Sequence, residues 1–230
     1  MGKKVILVVF GTRPEAIKMA PVIKELKESF KVFICVTGQH REMLDQVLEV
    51  FNIRPDYDLN LMKRDQDLFD LTKNILLKVK KVIEKISPNL ILVHGDTTTA
   101  MVTSIAAFYL KIPLGHVEAG LRTKNLYSPF PEEFNRQIIS KSTSLNFAPT
   151  EIAKRNLLDE GIKEDSIFVT GNTVIDALLE VSKDIDFHEF SSEVLNQCSF
   201  LKESSSKKII LVTGHRRENF GKGFQEICNG

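Results

Sequence analysis

The feature that most constrains the fold of this chain is a series of short apolar segments, rich in β-branched residues, that alternate with longer amphipathic stretches. These apolar segments are continuous rather than alternating, which is typical of strands covered on both faces, as in a parallel sheet. We predict strands at residues 5–10, 32–37, 90–94, 113–117, 145–148, 167–170 and 209–213.

The amphipathic stretches between the strands have the periodicity of helices that pack one face on a sheet. We predict helices at residues 14–28, 42–51, 68–86, 97–110, 132–141, 151–159, 173–184 and 220–229. Regular alternation of strand and helix indicates an α/β fold with a doubly wound, Rossmann-like parallel sheet.

The alternation weakens after residue 170, where a polar stretch ends in three consecutive serines, Ser204 to Ser206. We therefore expect an N-terminal domain at residues 1–170, a linker at 171–206, and the first β-α unit of a further domain at 207–230. A single β-α unit cannot enclose a hydrophobic core. It either packs on the first domain or begins a second domain that the chain does not complete.

The charge balance argues against a polyanionic partner. Thirty-one Lys and Arg residues are matched by 30 Asp and Glu residues, which leaves a formal net charge of +1. Nucleic acid and anionic membranes attract strongly basic surfaces. We therefore expect neither as a partner, and the ligand has to be inferred from local features.

The cysteines and the N-terminus favour a soluble protein of the cytoplasm. The three cysteines, Cys35, Cys198 and Cys228, are odd in number and lack CxxC spacing, so they fit neither a disulfide framework nor a zinc cluster. The apolar segment near the N-terminus has only six residues, Val5 to Phe10. It is too short for a signal peptide or for a membrane span of about 20 residues.

The turn after the first strand carries the clearest ligand signal. Thr12 and Glu15 have the spacing of a helix capping box, with Pro14 in the first helical turn. Arg13 does not fit that role, because a cation at a helix N-terminus opposes the helix dipole and is better explained by an external anion. Lys18, about one turn later, either joins Arg13 at this anion or is simply solvated.

Two acids follow later strands, at the edge of the sheet where α/β proteins bind ligands. Asp96 is either a functional carboxylate or only the N-cap of the next helix. Glu118 caps no obvious helix, because Ala119 and Gly120 follow it in a turn, so we favour a functional role. His94 and His116, at the ends of apolar strands, are more typical of core or orienting histidines than of catalysts.

A third acid, Glu132, lies in the first turn of a helix that two prolines precede. Its position four residues before Arg136 suggests an ordinary ion pair and a favourable dipole interaction. The prolines stiffen the approach to this helix, however, and we favour a location in the cleft for Glu132 or Arg136.

No GxGxxG, GxxxxGK[ST] or HExxH pattern is present, so the sequence indicates neither a dinucleotide site, nor a P-loop, nor a required metal. Carboxylates, arginines and His215 remain, which are suited to proton transfer beside an anionic leaving group.

Seven motifs, in order and along essentially the whole chain, closely resemble those of the non-hydrolysing UDP-N-acetylglucosamine 2-epimerases. They include Gly-Thr-Arg-Pro-Glu-Ala-Ile-Lys and His-Val-Glu-Ala-Gly-Leu-Arg-Thr, and they lie at residues 10–21, 39–46, 93–99, 115–123, 128–133, 170–176 and 213–218. The resemblance implies the first domain of a two-domain GT-B fold. It also implies interconversion of UDP-GlcNAc and UDP-ManNAc by elimination and re-addition of UDP, without a cofactor.

Carried over by position, the family's active-site residues are Arg13, Lys18, Asp96, Glu118, Glu132, Arg136 and His215. The resemblance assigns proton transfer to the three acids, without indicating which acts at C2. It makes Arg13, Arg136 and His215 candidates for stabilising the diphosphate and the leaving group. We place His215 with the three acids in the catalytic set, and Lys18 with the two arginines among the substrate-binding residues.

The family's regulatory site for a second UDP-GlcNAc would correspond to Gln39, His40, Gln46 and Gln66. The chain departs from the family next to this site, with Asp65 where an arginine is common. Family members commonly form homodimers, and we expect the same here.

The family's second domain, a nucleotide-binding domain, is represented only by its first β-α unit, so we expect a truncated chain that does not turn over alone. Two alternatives remain open: a hydrolysing 2-epimerase that releases ManNAc and UDP, and an inactive module that binds nucleotide sugars.

Overall fold

The structure is a computed structural model that describes residues 2–38, 41–61, 66–184, 196–198 and 221–229. The chain divides into two compact units, residues 1–183 and 184–230. In the second unit, the described residues include one helix, at Lys222–Asn229. The predicted strand at 209–213 lies outside the described residues, and the predicted domain boundaries stay a prediction.

The first unit is built on a parallel sheet of seven strands in the order β3-β2-β1-β4-β5-β6-β7. The chain adds strands outward from β1 on one side and then from β4 on the other, so the direction of winding reverses between these two strands. The predicted doubly wound, Rossmann-like sheet is confirmed. Its strands are β1 (Val5–Phe10), β2 (Lys31–Val36), β3 (Tyr57–Asp58), β4 (Leu90–His94), β5 (Leu114–Val117), β6 (Leu145–Ala148) and β7 (Ile167–Val169).

An α-helix connects each strand of the sheet to the next. Their bounds agree with the predicted helices to within two residues at each end. They are α1 (Arg13–Ser29), α2 (Arg41–Val50), α3 (Leu68–Ile86), α4 (Thr98–Tyr109), α5 (Glu132–Ser142), α6 (Glu151–Asp159), a short 3-10 helix (Glu164–Ser166), α7 (Thr173–Asp184) and α8 (Lys222–Asn229).

Both faces of the sheet are covered, which explains the continuous apolar strands. On β1, Leu7 and Val9 pack in the core formed with α3 and α4. Their neighbours Ile6, Val8 and Phe10 point to the opposite core, formed with α1 and α2. Successive side chains of a strand point to opposite faces, so a doubly covered strand needs apolar residues at every position.

Strand β3 was not predicted, because only two residues, Tyr57 and Asp58, belong to it. It pairs with the end of β2, next to Cys35 and Val36. The preceding Asp56 accepts a hydrogen bond from the backbone N–H of Ile34 at 2.8 Å. A pairing this short has no periodicity in the sequence and depends on contacts with the neighbouring strand.

The elements converge tightly at Gly11, directly after β1. A Cβ atom at this position would lie 2.2 Å from Thr37 Oγ1 and 2.7 Å from Thr99 Oγ1. The absence of a side chain at Gly11 therefore lets the end of β1 approach the residue after β2 and the first turn of α4. Within the described part of the chain, no helix is both long and apolar enough to cross a membrane.

Candidate active site

The turn between β1 and α1 is a complete capping box. Thr12 is the N-cap, and its Oγ1 accepts a hydrogen bond from the backbone N–H of Glu15 at 3.5 Å. In return, Glu15 Oε2 accepts from the N–H groups of Thr12 at 2.8 Å and of Gly11 at 3.0 Å. The predicted capping roles of Thr12 and Glu15 are confirmed.

Arg13 lies exposed in the first turn of α1. Among the residues that the structure describes, none forms an ion pair or a hydrogen bond with its guanidinium. The cation therefore stands at the positive end of a helix dipole without a partner among the described residues, and both features favour an external anion.

Glu118 follows β5 and is the centre of a cluster of polar side chains. Its Oε2 accepts from Lys18 Nζ at 2.5 Å and from Asn172 Nδ2 at 2.9 Å. Its backbone is left-handed, with φ of +65°, a conformation in which non-glycine residues are uncommon. The structure pairs Lys18 with Glu118, and its role in substrate binding stays a prediction.

Two buried histidines lie beneath this cluster. Burial lowers the pKa of His94 to about 3, and the positive charge of Lys18 adds to the effect. His94 is therefore neutral, and its Nε2, 3.8 Å from Glu118 Oε2, does not form an ion pair. Burial likewise lowers the pKa of His116 to about 4. The Nε2 of neutral His116 donates to Gly95 O at 2.6 Å, which fixes the turn after β4.

The turn after β4 carries the second carboxylate–cation pair. Asp96 Oδ2 lies 2.5 Å from Arg136 Nη2, and its backbone carbonyl accepts from Asn135 Nδ2 at 2.8 Å. The alternative that Asp96 caps the next helix is wrong. The N-cap of α4 is Thr97, whose Oγ1 accepts from the N–H of Ala100 at 3.1 Å.

The ion pair expected between Glu132 and Arg136 is not formed. Arg136 instead binds Asp96 and, through Nη1 at 3.1 Å, Glu133 Oε2. Glu132 is half-buried at the start of α5. Its Oε2 is buried and has no hydrogen-bond partner among the described groups.

Glu133 is a site residue that the sequence interpretation missed. Its side chain is 0% exposed, and its Oε2 accepts from the N–H of Thr123 at 3.0 Å as well as from Arg136. Burial alone would raise the pKa of this carboxyl, but the hydrogen bonds from Thr123, Gln137 and Arg136 hold it below its usual value. Its spacing of three residues from Arg136 was the available signal, because i,i+3 neighbours meet on one helix face.

The two carboxylate–cation pairs lie at the carboxyl ends of adjacent strands, β4 and β5. One member of each pair acts on His94: the charge of Lys18 lowers its pKa and the charge of Asp96 raises it. Of the predicted site residues, the structure thus gathers Lys18, Asp96, Glu118 and Arg136 at one edge of the sheet. Arg13 follows β1, the neighbour of β4 in the sheet, at the same edge.

The residues predicted for a regulatory site are only partly described. Gln46 is exposed on α2. Gln66 is half-buried, and its Nε2 has no partner among the residues with described positions. Gln39, His40 and His215 lie outside the described residues. In the described ranges, no three His, Cys, Asp or Glu side chains are grouped so that they could hold a metal ion.

The fold and the site together define a class of protein. A doubly wound parallel sheet that gathers carboxylate–cation pairs at its carboxyl edge is typical of α/β proteins that bind a ligand at this edge.

Comparison with known proteins identifies the family within this class. The chain belongs to the UDP-N-acetylglucosamine 2-epimerase family, whose model matches residues 24–230. A probable UDP-N-acetylglucosamine 2-epimerase of Ralstonia solanacearum is 56% identical over 229 residues, which are 98% of this chain and 60% of the relative. The chain thus spans about 60% of the length of the curated relatives that it matches.

Two solved structures show the same relationship. The Neisseria meningitidis UDP-GlcNAc 2-epimerase bound to UDP-GlcNAc has a TM-score of 0.90 at 52% identity, over 97% of this chain and 60% of its own. The Methanocaldococcus jannaschii enzyme in complex with UDP-GlcNAc and UDP has a TM-score of 0.74 at 36% identity, over 87% of this chain and 54% of its own. The structural neighbours have the GT-B fold, as the resemblance implied for this chain.

Proposed function

We propose that the protein containing this chain interconverts UDP-GlcNAc and UDP-ManNAc by eliminating UDP across C1 and C2 and adding it back with C2 inverted. One observation carries the proposal. Two carboxylates, Asp96 and Glu118, lie at the ends of adjacent strands, and each is held by a cation. Inversion at C2 requires a proton to leave one face of the sugar and to return on the other, and a site with more than one placed carboxylate suits that chemistry.

The elimination step places specific demands on the site. A base takes the proton from C2, the electron pair of the C–H bond forms the C1–C2 double bond, and UDP leaves C1 with the electron pair of the C–O bond. Because the C2 proton is not acidic, the base has to be oriented and the departing diphosphate stabilised. We propose Asp96, Glu118 and Glu132 for proton transfer and Arg13 and Arg136 for the developing negative charge.

The guanidinium of Arg136 already has partners before the diphosphate binds, because it forms ion pairs with Asp96 and Glu133. We therefore propose that it stabilises the leaving group while it remains paired with these acids. The role of His215 stays a prediction from the resemblance.

The role of Arg13 is tested by binding of UDP. We expect Arg13→Ala to weaken UDP binding by about 10-fold or more, since charge-assisted contacts to phosphate contribute about 1.5–3 kcal/mol. Lys27→Ala is the matched control, because it removes a cation from the other end of α1. Calorimetric titration measures both, and equal effects of the two substitutions would refute a specific role for Arg13.

The reaction itself is tested by NMR analysis of products from UDP-GlcNAc. We expect no turnover by the 230-residue chain alone, and epimerisation when a C-terminal portion completing the length of its relatives is supplied. Appearance of UDP-ManNAc supports the non-hydrolysing reaction. Accumulation of free UDP and ManNAc in step with loss of substrate would establish the hydrolysing alternative, and binding without turnover in either form would establish a binding module.

We also propose a homodimer that works in the cytoplasm. Large apolar side chains on α3 and α4 are exposed, including Phe69, Phe108 and Tyr109 at 86%, 64% and 71%, and such groups are common in protein interfaces. Light scattering during size-exclusion chromatography measures the oligomeric state, and a monomer at micromolar concentration would contradict the dimer.

The proposed location in the cytoplasm is supported by the cysteines. All three are free thiols, as expected in a reducing compartment.

A further inference from the structure

Asn172, between β7 and α7, connects Glu118 to the start of a helix. Its Oδ1 accepts from the backbone N–H of Val174 at 3.1 Å, and its Nδ2 donates to Glu118 Oε2 at 2.9 Å. A backbone N–H can only donate, so the oxygen of the amide has to face Val174. The amide nitrogen then faces Glu118, and the direction of both hydrogen bonds is determined.

Glu118 Oε2 is the oxygen that receives every described contact of this carboxylate. It binds Asn172 Nδ2 and Lys18 Nζ, the latter at 2.5 Å, and it is the oxygen that lies 3.8 Å from His94 Nε2. A carboxylate oxygen has two lone pairs, and these two donors occupy both. No described residue forms a hydrogen bond with Oε1, whereas the side chain as a whole keeps 12% of its surface exposed.

We propose that Asn172 is a positioning residue: together with Lys18 it holds Oε2 of Glu118, so that Oε1 is the oxygen that exchanges a proton with the substrate. The inference rests on the proposed function, because it concerns the proton step of that reaction. When Glu118 acts as base, the C2–H bond breaks, its proton passes to Oε1, and its electron pair enters the C1–C2 bond as UDP leaves. When Glu118 acts as acid, the same oxygen returns a proton.

The test separates the contact with Glu118 from the capping of α7. Asn172→Ser keeps an oxygen that can cap the helix, because serine is a good N-cap, but it removes the amide donor. Asn172→Asp keeps both size and cap and turns the donor into an acceptor facing Oε2. Thr150→Ala is the control, because Thr150 caps α6 by accepting from the N–H of Ala153 at 3.1 Å and has no contact with Glu118.

In the form of the protein that epimerises UDP-GlcNAc, we expect Asn172→Ser to lower kcat about 10- to 100-fold, the factor that corresponds to a hydrogen bond to a charged group. We expect KM to change less than about twofold and the melting temperature to fall no more than in Thr150→Ala. We expect Asn172→Asp to lower kcat more than Asn172→Ser does, because the new carboxylate repels Oε2 of Glu118. Unchanged kcat in both Asn172 variants would overturn the proposal.

A second measurement does not depend on turnover. In the chain labelled with ¹³C at the glutamate carboxyl carbon, the Glu118 signal is identified by its absence in Glu118→Gln. We expect this signal to move in Asn172→Ser and to stay in place in Thr150→Ala. A signal unmoved in Asn172→Ser would overturn the proposal even in an active enzyme, whereas a moved signal without any epimerisation would count against the proposed function alone.

Discussion

Thr97 donates its hydroxyl hydrogen bond to Glu15 Oε1 at 2.7 Å, and this contact joins the first turn of α4 to the first turn of α1. Thr97 directly follows Asp96 in the sequence, and Glu15 lies two residues after Arg13. Because Thr97 is the N-cap of α4 and Glu15 is hydrogen-bonded to the N-cap of α1, the contact also sets the distance between the backbones that carry a proposed acid and a proposed diphosphate ligand.

Glu15→Gln is expected to be tolerated and Glu15→Ala is not. Burial raises the pKa of the Glu15 carboxyl in spite of its hydrogen bonds from Gly11, Thr97 and Thr12, so loss of its charge costs little. The glutamine oxygen can still accept from the backbone N–H groups, and its amide can donate to Thr97. Glu15→Ala removes the acceptor and leaves these donors without a partner, and each unpaired buried donor lowers the free energy of unfolding by about 1–3 kcal/mol.

Urea unfolding measures both variants. We expect Glu15→Gln to lose less than about 1 kcal/mol of the free energy of unfolding and Glu15→Ala about 2–4 kcal/mol. Equal losses in the two variants would mean that the charge, rather than the acceptor, stabilises this junction.

Glu133→Gln is expected to be destabilising, because it leaves Arg136 with less compensation in a buried site. Removing one partner of a buried ion pair typically costs about 3–5 kcal/mol. Asp96 remains as a second partner of Arg136, so we expect about 2–3 kcal/mol here. The control is Glu84→Gln, which breaks the exposed pair with Lys80 and should cost less than about 0.5 kcal/mol. Chemical denaturation that finds the two variants alike would contradict a buried charged network.

The stability of the first unit should fall as the pH falls below 7. The folded-state pKa values of His94 and His116, about 3 and about 4, lie below the unfolded value of about 6.5. Between these values the unfolded chain binds protons that the folded protein does not. Each histidine then lowers the free energy of unfolding by up to about 1.4 kcal/mol per pH unit.

Two carboxyls modify this dependence. Glu15, whose pKa is raised, opposes the loss because its folded form takes up a proton at higher pH than the unfolded chain. Glu133, whose pKa is lowered, adds to the loss once the pH falls below the ordinary value for glutamate. Denaturation at pH 8, 7, 6 and 5 tests the sign, and His94→Gln should reduce the slope by about one proton. A stability that is flat between pH 7 and pH 5 would contradict it.

Gly120→Ala should cost far more than Gly161→Ala. Both glycines have positive φ, +87° and +79°, so both substitutions strain the backbone, by about 1 kcal/mol. Only at Gly120 would the added Cβ meet a backbone atom, Ala153 O at 2.2 Å, whereas nothing lies within 4 Å at Gly161. We expect an additional loss of about 1–3 kcal/mol at Gly120, read from urea unfolding. It should be accompanied by reduced ligand binding, because Gly120 lies two residues after Glu118.

The fold was largely predictable from the sequence, because continuous apolar strands and amphipathic helices each have a local pattern. The location of Glu118 at the carboxyl edge of the sheet was also predictable, because it directly follows an apolar strand, while its functional role stays a prediction. Asp96 was ambiguous because Thr97, the next residue, is an equally good N-cap. Sequence alone does not determine which of two adjacent residues has the backbone conformation of a cap.

The partners of the site residues were not predictable, because they are distant in sequence. Lys18 and Glu118 are separated by 100 positions, and Asn172 and Glu118 by 54. Local patterns cannot show that such side chains meet. Arg136 pairs with Glu133 rather than with Glu132, and Glu133 is also held from outside the helix by the backbone N–H of Thr123.

The left-handed backbone at Glu118 restricts how this position can vary in engineered libraries. Valine, isoleucine and threonine are poorly compatible with φ of +65°, whereas glycine, asparagine and aspartate adopt this region most readily. A randomised codon at position 118 would therefore sample a narrow set of folded proteins, and loss of activity in the β-branched variants would report on folding as much as on chemistry. Glutamine is the informative replacement, because it is as compatible with this backbone as the native residue and replaces one carboxylate oxygen with an amide nitrogen, which removes the negative charge and the base.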